Sequence, residues 1–253
     1  ESTYSDSFGE SFNPSDKISG GKLSINKILK QDTNIFISIA RGYNQGGFNL
    51  NLGLDPNSIN SNLYYDPEFL TNYELGLNSK IVNLNMNLAA VIFHSDRKDQ
   101  QVLISTQVDP TDPNTFTFLT QNAAEGTNNG IELEIDFQLS DNLDIFINFG
   151  LLKTQIKNWK SRPDLQGRAQ AHAPEKSYAI GFNWNLTEQS NLSFDVVGKS
   201  SFYYSDSHNN RSKSYFLTNL SYSYFSGQWT YSIWGRNIFD EYYSTRGFYF
   251  GNE

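Results

Sequence analysis

Apolar and polar residues alternate along most of this chain, and helical periodicity is nearly absent. The alternation is unbroken from Ile131 to Leu139: Ile131, Leu133, Ile135, Phe137 and Leu139 interleave with Glu132, Glu134, Asp136 and Gln138. Period two places the two sets on opposite faces of a strand. Ser140-Asp141-Asn142 supplies a turn, and Leu143, Ile145, Ile147, Phe149 and Leu151 restart the pattern against Asp144, Asn148 and Gly150. Phe146 breaks the polar register. Two such runs joined by a short polar turn predict a hairpin. The same unit recurs with turns near Lys30 to Thr33, Lys80, Thr187 to Asn191 and Ser226-Gly227-Gln228, which predicts ten strands in five hairpins.

The connections between hairpins are long, about residues 43–66, 105–115, 157–176 and 205–213, whereas the turns within hairpins are short. Short turns on one rim and long loops on the other are the plan of an antiparallel up-and-down transmembrane β-barrel. The predicted strands from Ile131, Leu143 and Tyr178 reach the length that crosses a bilayer, about 9–11 residues. Trp184, Tyr222, Tyr224, Trp229 and Tyr231 cluster beside short turns in the apolar register, as an interfacial girdle would. This places the apolar register against lipid and Glu132, Glu134, Asp144 and Asn148 toward a wet lumen. A soluble all-β sandwich is the alternative, because alternation alone does not separate the two.

Composition narrows the choice. The formal charge is −8, against a nucleic-acid partner, which needs a basic footprint. Cysteine is absent, so disulfide scaffolds, thiolate metal sites and cysteine nucleophiles are excluded. Aromatic residues make up 15% and charged residues only 18%, and asparagine and serine number 29 each, an unusual balance for a soluble enzyme. The longest apolar run, Leu88 to Phe93, is far below the about 20 residues of a spanning helix. The first residues form no signal peptide.

Several segments, taken in order, carry a resemblance. They are Arg41-Gly42-Tyr43-Asn44-Gln45-Gly46-Gly47-Phe48-Asn49, then Pro67-Glu68 followed by Tyr73-Glu74-Leu75-Gly76-Leu77. Phe93 to Gln101 follows, with His94 and Arg97 where tyrosine is usual, then Asn122-Ala123-Ala124 with Gly130-Ile131-Glu132-Leu133-Glu134. Ala173-Pro174 and Arg236-Asn237-Ile238-Phe239-Asp240-Glu241-Tyr242-Tyr243 complete the set. In this order they resemble the barrel of TonB-dependent outer-membrane receptors. The resemblance implies one partial receptor barrel domain over residues 1–253, without the plug domain, the TonB box or the closing strand. Ten strands set against the 22 of outer-membrane transporters leave the sheet open at both ends.

Candidate chemistry is sparse. His94, His172 and His208 have no second ligand at metal spacing and read as loop or lumen residues. Asp109-Pro110-Thr111-Asp112-Pro113-Asn114 is oxygen-rich but lacks the glycine and glutamate of a calcium loop. Neighbours among Glu132, Glu134 and Asp136 stand about 7 Å apart, a spacing that suits paired carboxylates, yet a lumen wall needs solvated carboxylates anyway. Gly42, Gly46 and Gly47 precede no helix and form no phosphate loop. Asn185, Asn191, Asn210 and Asn219 match the glycosylation pattern by chance. Recognition belongs on the long loops, where Trp159, Arg162, Arg168, Tyr203, Tyr204, His208 and Arg211 combine guanidinium groups with aromatic rings.

No catalytic, metal or cofactor site is expected, and no cofactor. The resemblance implies a receptor in the outer membrane of a Gram-negative bacterium, surrounded by outer-membrane lipid. Its ligand would be a scarce nutrient such as a ferric siderophore, and TonB would energise uptake through the absent plug. A passive porin-type channel and a soluble glycan-binding module are the competing readings. A barrel hydrolase ranks last, since no nucleophile–base pair is visible.

Overall fold

The computed structural model describes residues 3–5, 11–50, 63–107, 111–112, 115–159, 162–206 and 208–247. Ten long strands form one antiparallel sheet: β1 Gly21–Lys30, β2 Thr33–Asn44, β3 Glu68–Ile81, β4 Met86–Gln107, β5 Phe116–Ser140, β6 Leu143–Asn158, β7 Lys176–Thr187, β8 Ser190–Lys199, β9 Tyr215–Ser226 and β10 Trp229–Gly235. Every strand pairs with the next one in the chain, so the sheet is a pure meander with no crossover. Strands β1 and β10 are the two edges and do not pair with each other. Two small two-stranded pieces lie outside this sheet, Tyr4–Ser5 with Ser11–Phe12 and Gly47–Phe48 with Tyr64–Tyr65.

Register carries the alternation of single strands into two continuous faces. Ile145, Ile147, Phe149 and Leu151 of β6 stand opposite Phe137, Ile135, Leu133 and Ile131 of β5. The row through Ile131 continues into Ile92 of β4, Leu75 of β3 and Ile37 of β2. On the other face Asn148 meets Glu134, and Gly150 meets Glu132. The apolar face is uncovered: Leu75 is 50%, Ile92 55% and Ile233 73% exposed. A soluble sandwich buries one face of each sheet, whereas here an apolar face spans all ten strands with none of the described residues packed over it. Lipid is the medium that suits such a face. From Leu143 to Leu151 the apolar register of β6 covers eight steps, about 27 Å along the strand and about 20 Å of membrane depth at a tilt of about 40°, most of the apolar band of outer-membrane barrels.

The turns Asp32, Asn83, Asp141, Glu188 and Gly227 all lie at one end of the sheet. Asn85, after the short turn Val82–Leu84, and Gly227 take positive φ values of 46° and 59°, the left-handed conformation that closes such tight reversals. Asp112, Trp159 and His208 follow the opposite strand ends, as expected; Asn51, expected beside them, lies outside the described residues.

One difference from the sequence reading concerns length. Strands β4, β5 and β6 run to 22, 25 and 16 residues. A bilayer uses about 9–11, so this part of the wall continues well beyond the membrane on the long-loop side. Asn, Gly, Thr and Glu interrupt the alternation over residues 116–130, yet these residues pair with β4 as strand, in keeping with a connection read at about 105–115.

Candidate functional site

Among the described residues, the long-loop end of the sheet carries a cluster of buried apolar side chains formed by Val102, Ala124, Ile156, Trp159 and Leu165. Thr154 and Ile156 belong to the polar, inward register of β6, being even-numbered with Asn148 and Gly150. The connection after β6 folds back over this inward face. The Ile156 amide donates to the Arg168 carbonyl at 2.9 Å, and the Gly167 amide to the Ile156 carbonyl at 2.8 Å. The Gln170 amide donates to Thr154 Oγ1 at 2.9 Å. Gln170 Nε2 donates to Asn128 Oδ1 at 3.1 Å, and its Oε1 accepts from Arg97 Nη1 at 3.2 Å. Arg97 is also ion-paired with Glu68, whose other oxygen accepts the Gln101 amide at 3.0 Å. All these side chains point to the lumen side, so the loop lies across the mouth of the barrel wall.

A second loop, between β8 and β9, docks on the first. Arg168 is the joint. Its Nη1 donates to the His208 carbonyl at 2.9 Å and to Asn209 Oδ1 at 2.8 Å, and its Nη2 to the Ser205 carbonyl and Asp206 Oδ1, both at 3.0 Å. The Arg168–Asp206 pair is 8% and 14% exposed, so these bonds are made largely out of water, where their loss is costly. Asp206 also accepts the Ala171 amide at 3.2 Å. The guanidinium groups of Arg168 and Arg211 stand over the Tyr203 ring, 4.4 and 4.7 Å from its centroid.

The seven loop residues singled out by sequence are thus not equivalent. Trp159 is 3% exposed and sits in the apolar floor. Arg168 is held inside the loop pair. Arg162 forms a local pair with Asp164 at 2.9 Å, which holds that carboxyl below the usual carboxylate range. Arg211 is exposed, and Tyr203, Tyr204 and His208 are half-buried around it. Burial pushes the His208 imidazole below its ordinary pKa, and the neighbouring Arg168 cation acts in the same direction.

Sequence reasoning missed Glu68, Arg97, Asn128, Gln170 and Asp206, which organise the mouth. The only available signal was the departure at Arg97 from the usual tyrosine. Below the mouth the inward wall is a polar ladder: Ser38 donates to Glu74 at 2.8 Å, Asn72 to Glu74 at 2.7 Å, and Ser95 to Asn72 at 2.7 Å. Among the described residues no cluster of three or more His, Cys, Asp or Glu is placed to hold a metal ion. The arrangement offers hydrogen bonds, cation–π contacts and positive charge to a solute entering the lumen.

Known proteins share this architecture. The ferric yersiniabactin uptake receptor FyuA from Yersinia pestis superposes with a TM-score of 0.76 at 20% identity, over 96% of this chain and 35% of that one. The siderophore receptor PiuA from Acinetobacter baumannii gives a TM-score of 0.70 at 20% identity, over 89% of this chain and 32% of that one. In sequence, the probable TonB-dependent siderophore receptor PiuA of Acinetobacter baumannii is 28% identical over 133 residues, 52% of this chain and 16% of the relative. The chain therefore spans about a third of those solved structures and a sixth of the curated relative. A family profile described as TonB dependent receptor-like, beta-barrel, matches residues 2–238. With that match on an open meander that has one apolar and one polar face, the chain belongs to the TonB-dependent receptor β-barrel family of the Gram-negative outer membrane.

Proposed function

We infer that this chain is part of the barrel domain of an outer-membrane receptor that takes up a ferric siderophore, with energy delivered by TonB to a plug inside the lumen. The observation that carries this reading is the family match together with relatives that are themselves named siderophore receptors. The geometry supports it: two long loops are drawn over the lumen side of the wall, where a ligand waiting for transport would sit. Iron is cargo in this scheme, and the wall performs no catalysis; the family is one of receptors and transporters.

Within the mouth the ligand would meet Arg211, Tyr203, Tyr204 and His208, with Arg162 at the side, while Trp159 and Arg168 hold the loops that present them. Guanidinium groups suit the carboxylate or phenolate oxygens of an iron chelate, and the rings suit its flat faces. Titration of the full-length receptor with a panel of ferric siderophores tests this reading. One of them is expected to bind tightly, and Arg211→Ala to weaken it by about 1.5–3 kcal/mol, the cost of a hydrogen bond to a charged group. Absence of binding across the panel would reject the siderophore assignment.

A further inference from the structure

The inward face of the wall differs between its two halves. On β5 and β6 it carries Glu132, Glu134, Asp136 and Asp144. The carboxylates of all four are without an ion pair or a hydrogen bond among the described residues. Lys80 lines the same hollows as Glu134, Asp136 and Asp144 but pairs with none of them.

On β7 to β10 the same face is built of amides and hydroxyls that are bonded to one another. Ser193 Oγ donates to Asn183 Oδ1 at 2.6 Å, and Asn191 Nδ2 to Asn185 Oδ1 at 3.0 Å. The hydroxyls of Ser223 and Ser232 share a hydrogen bond of 2.9 Å. Asp195, the carboxylate of this half, accepts Asn219 Nδ2 at 2.7 Å. Register joins these side chains into continuous rows: Asn183, Ser193, Ser221 and Trp234 in one, Asn185, Asn191, Ser223 and Ser232 in the next. Four strands give three spacings, so the neutral wall is about 14 Å wide.

Cations stand at the head of the neutral half. Lys199 ends β8 in the inward register, opposite Ser177 and Tyr215. Arg236 follows β10, with its guanidinium 5.8 Å from the Trp234 ring centroid. Both are exposed and make no ion pair among the described residues. The loop that carries Tyr203 and Arg211 joins β8 to β9, so it opens onto this half.

The two halves meet an anion differently. Four uncompensated carboxylates repel it and attract cationic groups instead. Amides and hydroxyls that already satisfy one another add no charge, and they leave few free groups to grip whatever packs against them. We propose that an anionic ferric chelate leaves the mouth along β7 to β10, past Lys199 and Arg236 and down the amide and hydroxyl wall, and that the carboxylates of β5 and β6 exclude it from their side. The proposal rests on the receptor reading above and adds the route and the charge of the cargo.

The test exploits the absence of cysteine from this chain. Single cysteines are placed in the full-length receptor by Ser193→Cys and Ser221→Cys on the neutral half, and by Ala89→Cys, opposite Glu134, on the acidic half. Cells with and without TonB, supplied with the ferric siderophore that binds the receptor, are treated with two thiol probes. One is the anionic sulfonatoethyl methanethiosulfonate, the other its cationic trimethylammonioethyl counterpart, and the receptor without an added cysteine gives the background. A wall of one sign changes the local concentration of a small ion by about tenfold or more. The rate that the anionic probe gains from TonB is therefore expected to be about tenfold larger at Ser193→Cys and Ser221→Cys than at Ala89→Cys. Should one of these variants fail to assemble, Asn183→Cys and Val91→Cys stand in for the neutral and the acidic half. An equal or larger gain on the acidic half, or a gain on the neutral half confined to the cationic probe, would overturn the proposal. No gain from TonB at any position would overturn the energised-receptor reading, and the proposal with it.

Discussion

The ring of Phe36 on β2 lies over Gly76 on β3, directly opposite it in the ladder, so a β-carbon at Gly76 would run into the ring. The same relationship recurs on the inward face between Phe93 and Gly130 and between Phe146 and Gly181. Each pair puts an aromatic ring into the polar register and uses it to cover the bare backbone of a facing glycine, which otherwise weakens a strand. Phe146, which interrupts the polar register between Asp144 and Gly150, is explained by this pairing.

Gly76→Val should destabilise the barrel by about 1–3 kcal/mol, because the methyl groups compete with Phe36 for the same space. Phe36→Ala should relieve most of the clash, making the double variant more stable than the sum of the two single changes predicts. Urea unfolding of the full-length receptor in lipid vesicles, followed by tryptophan fluorescence, measures both. Strictly additive effects would mean that the ring does not occupy the space above Gly76.

Face assignment is tested by neighbours. Leu133 points to lipid and Glu134 to the lumen, so Leu133→Arg should cost about 2–4 kcal/mol at mid-bilayer depth and Glu134→Arg should be nearly neutral. The ranking is read from folding yields of the full-length receptor in bilayers, and its reversal would invert the sheet.

Arg168 joins the two loops, and removing it leaves Asp206 largely buried without its cation. Arg168→Ala should release the segment 202–212 from the first loop while leaving the transmembrane strands intact. Arg168→Lys should not rescue it, since a single ammonium cannot serve Ser205, Asp206, His208 and Asn209 together. Hydrogen exchange should show lost protection at the Tyr204 and Ser212 amides and none at the amides of β5 and β6.

His208 gives the loops a pH dependence. Its folded pKa lies below its ordinary value, so the unfolded loop binds the proton more readily. The stability linked to neutral His208 is therefore present above about pH 6.5, the ordinary histidine value, and declines as pH falls through the lower folded value. Exchange at the Tyr204 and Asn210 amides, corrected for intrinsic rates, should accelerate on acidification below that point, and His208→Asn should flatten the response. An unchanged profile in the variant would place the dependence elsewhere.

The faces were legible in the sequence because a barrel wall obeys period two and lipid tolerates no polar interruption between Leu143 and Leu151. The five short turns were legible from their Asn, Asp, Ser and Gly residues. The mouth was not. Arg168 and its acceptors are separated by 37 to 41 residues, and nothing local in either loop marks their meeting. Trp159 reads as a loop aromatic because the floor beneath it comes from Val102 and Ala124 on strands far away in the chain. The connection read at about 105–115 ends where β5 begins, at Phe116, although outside the bilayer both faces are wet and the alternation that identifies a strand is no longer required.

Radioiron uptake is the measurement that decides whether this wall is part of an energised siderophore receptor, as proposed. The full-length receptor is expressed in Gram-negative cells lacking their own siderophore receptors, supplied with the ferric siderophore that binds it at low concentration, with and without TonB. Uptake is expected to need both the receptor and TonB and to stop when the proton gradient is collapsed. Uptake that continues at the same rate without TonB would overturn the proposal and mark the barrel as a passive channel.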